Sequence, residues 1–187
     1  MIFLSKGIPV RRTRTGDVDV SHCGALHKLT GQAATVWLGS LYQPCHTQTA
    51  DQESALNELA EMGLVEISST TEAPAVFRLL TNCVLCPHDS VPILPIINRT
   101  ERRVWKWITR AGLRLTMAEL VFLIEKDIRP VPDLLGETNR QPLTELIYTA
   151  DTIYDSILEC QMEHSPEQDK TVQAVLGLLR KRKIFLL

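Results

Sequence analysis

The sequence predicts an α+β fold, mainly α with small β-hairpins, built from two modules of similar plan in tandem. Three observations carry that expectation. Residues 55–67 read "ALNELAEMGLVEI" and residues 175–187 read "VLGLLRKRKIFLL", and Leu56, Leu59 and Leu64 fall over Leu176, Leu179 and Ile184 with the apolar positions in register. Thr49 with Gln52, and Thr116 with Glu119, have the three-residue spacing at which two side chains satisfy each other's free amides at a helix start. Pro87, Pro92 and Pro95 crowd the middle of the chain, each removing a backbone donor and pushing its predecessor out of helical geometry. The expected division is an N-terminal module over 1–85, a proline-rich linker over 86–98 and a C-terminal module over 99–187.

In the first module "PVRRTRTGDVDV" reads as an irregular strand or hairpin, and a short helix is expected over "SHCGALHKL". Ala34, Trp37, Leu38 and Leu41 recur at helical spacing, and Pro44 ends that helix. The next helix begins at Thr49 and stops at Gly63, a residue type favoured just past a helix end. "LVEISS", "TTEAP" and "AVFRLL" then read as strand, turn and strand.

In the second module Val104, Trp105 and Ile108 form the inward face of a first helix, which leaves Trp107 off that face as an aromatic available to a partner or to packing. "MAELVFLIEKD" follows its cap as a second helix. Leu143, Leu146, Ile147, Ala150, Ile153, Tyr154, Ile157 and Leu158, at spacings of three and four, predict one long amphipathic helix. Its stripe is wide enough to serve a second chain, so a homodimer is expected. Ser165, Pro166 and Gln168 supply the cap, first and third positions of a last helix running to about Arg182, and "IFLL" is a closing strand.

With 44% apolar and 22% charged residues among 187, the chain has enough apolar material for a real core. A net charge of −2 and a pI near 6.2 give no overall attraction to nucleic acid or to an anionic membrane, so any such contact must come from a local patch. Five cysteines, an odd number without a regular framework, point to a reducing compartment. The opening "MIFLSKGIPVRR" lacks the order of a secretory signal, and no run approaches the roughly 18 apolar residues of a membrane span. A cytoplasmic location and no membrane partner are expected.

Both modules resemble winged helix-turn-helix modules of bacterial transcription regulators. In the first, "LTGQAATVWLGSL" and "ALNELAEMGLVEI" carry the resemblance; the second matches by pattern. Residues 28–65, with "KLTGQAATVWLGSL" and "LNELAEMGLV", are also similar to the small winged-helix-like peptide chaperones that deliver precursor peptides to modifying enzymes. The first resemblance implies double-stranded DNA as partner. The second implies a peptide bound by strand addition.

Charge distinguishes the two modules. On the helix after Thr49 the outward residues Glu53, Asn57, Glu58 and Glu61 make an acidic face that would repel a duplex. On the last helix the outward stripe is Lys170, Gln173, Gly177, Arg180 and Lys181, and Arg99, Arg102, Arg103, Lys106, Arg110 and Arg114 crowd the second module's first helix with only Glu101 among them. The candidate nucleic-acid contacts are therefore Arg99, Arg102, Arg103, Lys106, Arg110, Lys170, Gln173, Arg180 and Lys181. The alternative is that these cations pair with the acids at 115–169 and form a solvated surface. The N-terminal module then serves a protein or peptide partner.

"CVLCPH" places Cys83 and Cys86 at the gap of a metal or redox pair, but no second such pair exists, and two structural thiols at a strand end are expected. No metal and no cofactor are expected. Nor is there a nucleophile elbow, a phosphate-binding glycine loop or a zinc-protease motif, so the expectation is a binding protein and not an enzyme. It is either a transcriptional regulator contacting DNA through the C-terminal module, or a non-enzymatic peptide- or protein-binding module.

Overall fold

A computed structural model describes residues 1–69, 73–88, 97–110, 115–131, 134, 140–149, 152 and 154–187. In chain order these form β1 (Ile2–Ser5), β2 (Ile8–Arg12), β3 (Val18–His22), β4 (Ala25–Leu29), α1 (Gly31–Gly39), β5 (Cys45–His46), α2 (Ala50–Glu61), β6 (Val65–Ser68), α3 (Ala73–Thr81) and β7 (Leu85–Pro87). There follow α4 (Arg99–Arg110), α5 (Met117–Glu125), α6 (Gln141–Ile147), α7 (Asp155–Glu163), α8 (Gln168–Arg180) and β8 (Ile184–Leu186). The class is α+β: helices with three small antiparallel sheets, ordered β5-β1-β6, β2-β3-β4 and β7-β8.

β1 is the seam of the molecule. Because side chains alternate along a strand, Phe3 enters a core with Val18, Val20, Leu29, Trp37, Leu56, Leu59 and Leu64, whereas Leu4 joins a larger core with Phe77, Leu80, Trp107, Leu120 and Leu179. α1 is tied to the seam by polar bonds: the Trp37 indole donates to the Lys6 carbonyl at 2.9 Å, and the Ser5 hydroxyl bonds the Trp37 carbonyl at 2.8 Å and meets the Ser40 hydroxyl at 2.6 Å. The Gly7 amide, between β1 and β2, donates to the Leu186 carbonyl of the last strand at 2.7 Å.

Several expectations need correction. "SHCGALHKL" is not helical: Cys23 (φ 48°) and Gly24 (φ 82°) make a two-residue turn of the kind that matches strand twist, and β4 folds back on β3 in unbroken register. "AVFRLL" is helix α3 and not a strand. Its apolar run is ambiguous by periodicity alone, and a helix buries it on two sides at once, Phe77 and Leu80 in the large core and Ala75 and Leu79 against Ile2. The hairpin expected after α2 is therefore not formed; β6 pairs with β1 instead. The long helix is two helices: Tyr148 is extended (φ −96°, ψ 93°) after α6, and α7 starts at Asp155, which lets both segments reach α5. Of the stripe meant for a second chain, Leu143, Ile147 and Leu158 are buried in the large core, and Ala150 and Ile153 lie outside the described residues.

The boundary expected at 86–98 is not where the packing divides. α3, Cys83 and Leu85 belong to the same core as α4, α5 and α8, and β7 pairs with β8, Leu85 opposite Leu186. Residues 89–96 lie outside the described residues.

The helix-to-strand repeat is present, one residue out of the expected register. α2 ends with Leu64 N–H on Leu59 O and Gly63 N–H on Ala60 O; α8 ends with Lys183 N–H on Leu178 O and Arg182 N–H on Leu179 O, each at 2.9 Å. Leu64 thus corresponds to Lys183, not Ile184. α5 closes in the same way, with Ile128 N–H on Leu123 O at 3.0 Å, and the left-handed position falls on Gly63, Asp127 and Arg182 in turn. A closure shared by three helices is the common left-handed helix stop and is no mark of a duplicated module.

Candidate functional site

α4 carries the strongest charge pattern. Its start is a reciprocal cap, the Glu101 amide donating to Asn98 Oδ1 at 2.8 Å and the Asn98 amide to Glu101 Oε2 at 2.9 Å. At about 100° per residue, Arg99, Arg102, Arg103 and Lys106 share one arc of roughly 100°, with Glu101 on the far side. Arg99, Arg102 and Lys106 are exposed; Arg103 donates to Asp127 Oδ1 at 2.6 Å and to the Ile124 carbonyl at 3.2 Å. Facing them is the 127–131 segment with Arg129. Together they bound an open concavity of about 570 Å³.

The α8 candidates are not part of this surface. Lys181 Nζ bonds both carboxylate oxygens of Glu101, at 2.6 and 2.7 Å, and Glu101 is only 4% exposed. The pair lies on the opposite side of α4 from the arginine arc, and Gly177 is what lets α8 approach it, since a Cβ there would collide with Glu101 Oε1. Lys170 pairs with Glu167 at 2.8 Å. Gln173 and Arg180 are exposed, away from the concavity lining. Of the nine candidate contacts, four line the concavity; Arg110 ends α4, with its side chain outside the described residues, as is Arg114. Sequence reasoning missed Arg129, which the fold brings in from 23 positions beyond Lys106, the last cation of the arc. Trp107, expected off the inward face, is 1% exposed and belongs to the core, whereas Trp105 is half-buried.

A second candidate lies at the N-terminal sheet. Both β2 and β4 are edges, but β2 carries Pro9 and an irregularity between Pro9 and Arg11, features that blunt an edge, while β4 runs in unbroken register. A two-residue turn makes its flanking pair, His22 and Ala25, a hydrogen-bonded pair. Alternation from there turns the backbone N–H and C=O of Leu26 and Lys28 away from β3, toward the open edge. Beside β4, Lys28, Gly31, Asp51, Glu58 and Met62 line a groove of about 470 Å³ between α1 and α2. α2 presents Glu53 and Glu61 to solvent as well, and Leu26 is 67% exposed.

The thiols do not form a cluster. Cys83 is buried and donates to the Leu79 carbonyl at 3.2 Å, Cys86 is half-buried in β7, and among the described residues no group of three or more potential ligands is placed to hold a metal ion. Burial, reinforced by nearby Glu66 and partly offset by Lys6, raises the Cys83 pKa from 9.0 to about 12. A raised thiol pKa leaves stability unaffected below the unfolded value. Between there and about 12 the unfolded chain alone loses the proton, so stability falls as pH rises, by up to about 1.4 kcal/mol per pH unit. Alkaline denaturation should show this limb and Cys83→Ala should flatten it. In mass-spectrometric labelling near neutral pH, the exposed Cys23 and Cys160 should react first and Cys83 only on unfolding.

No family model, curated protein or solved structure matches this chain. Among the described residues no helix is long and apolar enough to cross a membrane.

Proposed function

We propose that the chain is a non-enzymatic peptide-binding module of the cytoplasm that takes an extended peptide as an added strand along β4. The observation that supports it is the open edge of β4, with two outward-facing backbone pairs beside a groove. Chemistry narrows the occupant. Asp51 and Glu58 in the groove, with Glu53 and Glu61 farther along α2, favour a peptide carrying lysine or arginine, and Leu26 and Met62 offer apolar seats for its alternate side chains. The similarity of residues 28–65 to winged-helix-like peptide chaperones agrees with this use of the edge. The winged-helix-like tandem belongs to this reading as a resemblance of sequence, carried by "LTGQAATVWLGSL" and "ALNELAEMGLVEI", and not by the shared helix stop. The regulator reading ranks second, because docking of α8 on a duplex would rest on Arg180 and Gln173 once Lys170 and Lys181 are paired.

The test is selection of a displayed random peptide library on the full chain, followed by anisotropy titration of the selected peptides. Lys28→Pro removes an amide that β3 does not use, so the fold should persist while affinity falls at least about tenfold; Lys28→Ala should change it only a few-fold. Bound peptide should also slow amide exchange at Leu26 and Lys28. Peptides that bind Lys28→Pro as well as the parent, or leave those amides unprotected, would refute strand addition.

A further inference from the structure

We propose that the concavity between α4 and the 127–131 segment binds a compact polyphosphate carrying an apolar moiety, of the size and charge of a nucleoside triphosphate. Five cations line it, Arg99, Arg102, Arg103, Lys106 and Arg129, against one acid, Asp127, which is already bonded to Arg103. Among the described residues Arg99, Arg102, Lys106 and Arg129 have no carboxylate partner. Like charges three and four positions apart on one helix repel, so α4 holds an arrangement that costs stability until an anion relieves it. Arginine suits that anion, because its planar fork meets two phosphate oxygens at once.

Size and shape favour a small ligand over a strand of nucleic acid. The cations converge from α4 and from the facing segment on one concavity of about 570 Å³, inside the range of small-molecule sites. They do not continue onto α8, where Lys181 is committed to Glu101 on the other side of α4, so no extended track for a polymer backbone is present among the described residues. Part of the lining is apolar. Ile128, Pro130 and Val131, with the buried Trp107 beneath, offer a seat for a base or similar ring while the phosphates lie along Arg99, Arg102 and Lys106. The site is separate from the β4 edge and does not depend on the peptide reading.

Thermal unfolding and calorimetry of the full chain at low salt, without divalent metal, test this with inorganic tripolyphosphate, adenosine and guanosine triphosphates, adenosine, and a thymidine dodecamer. Either nucleoside triphosphate should raise the unfolding temperature by a few degrees at about 100 times its dissociation constant and bind at least about tenfold tighter than tripolyphosphate, and adenosine should give no shift. The response should weaken as salt rises. Arg102→Gln with Arg129→Gln should abolish the shift while leaving the ligand-free unfolding temperature equal or higher, because repulsion is removed; a purely structural role for these arginines predicts the reverse. Arg180→Gln should bind as the parent does. No binding at about 1 mM, equal affinity for tripolyphosphate and nucleoside triphosphates, or undiminished binding by the double variant would overturn the proposal. So would a dodecamer that binds more than about a hundredfold tighter than the triphosphates, which would make the concavity part of a nucleic-acid track.

Discussion

Lys181→Glu should lower the unfolding free energy by about 3 kcal/mol, whereas Arg180→Glu, one residue away, should stay within about 0.5 kcal/mol. The two positions look alike on a helical wheel. Lys181, however, is the partner of Glu101, whose carboxylate is almost fully enclosed between α4 and α8. Removing the ammonium leaves a buried charge that, among the described residues, still accepts from the Asn98 amide, and reversing it adds a like charge beside it. The figure is kept to the low end for a broken buried pair because Lys181 itself is 38% exposed and its replacement can turn to water. Urea denaturation of both variants decides it. A loss below about 1 kcal/mol for Lys181→Glu would mean that Glu101 is reached by solvent in the folded chain. Measured nucleic-acid affinities of such a variant would have to be corrected for unfolding before they said anything about contact.

Glu119→Ala should cost a similar amount, about 3–4 kcal/mol, for three reasons acting on one side chain. Glu119 Oε2 accepts the Thr116 amide at 2.9 Å and, with the Glu119 amide on Thr116 Oγ1, closes the cap of α5. Oε1 accepts from the Arg140 guanidinium and from the Tyr148 hydroxyl at 3.2 Å, and the carboxylate is wholly buried. Its loss opens a polar cavity and leaves those donors facing one another. Arg140→Ala should cost less, about 1–2 kcal/mol, because Arg140 is partly solvated and the cap survives. Glu119→Gln separates charge from shape: the cap needs an acceptor at Oε2, so the amide nitrogen must take the Oε1 position against Arg140. A loss for Glu119→Gln close to that of Glu119→Ala would assign the cost to charge. A loss near zero would assign it to the cap and the packing. Burial and the Asp155 carboxylate push the Tyr148 pKa upward, so the hydroxyl stays a donor throughout the neutral range in which these comparisons are made.

Local chemistry was legible along the chain. Thr116 and Glu119 close the reciprocal cap of α5, Thr49 caps α2 while Gln52 accepts from Gln48 instead, Gly63 stops α2 and the closing strand forms at Ile184–Leu186, whereas α8 starts at Gln168 after Glu167 and not after a Ser165 cap. The caps and the stop depend on atoms within about five residues, so one sequence window contains both partners, whereas the strand is completed only by β7. The apolar faces of α1, α2 and α8 were legible for the same reason, since helical periodicity acts inside one element. The cations of α4 were visible as a cluster, and four of them, Arg99, Arg102, Arg103 and Lys106, line one concavity.

Where the outcome depended on a partner far along the chain, the pattern was silent or misleading. "AVFRLL" has apolar residues suited to either state, and it is a helix because Ile2 stands on one side and the large core on the other. Trp107 is buried and not exposed because α4 is covered on more sides than its simplest apolar stripe implies. The helix expected over 143–162 breaks near Tyr148, whose hydroxyl reaches Glu119 on α5 and Asp155 at the start of α7. Lys181 reads as a free cation until Glu101, 80 residues earlier, is found against it. The sequence by itself determined caps, stops, helical faces and the density of charge along α4, because those are set by bonds and spacings within a turn or two of chain. Only the tertiary structure decided which charges are spent on one another, which strand edge is left open and which cations converge, because pairing, burial and desolvation act through distances that chain order does not encode.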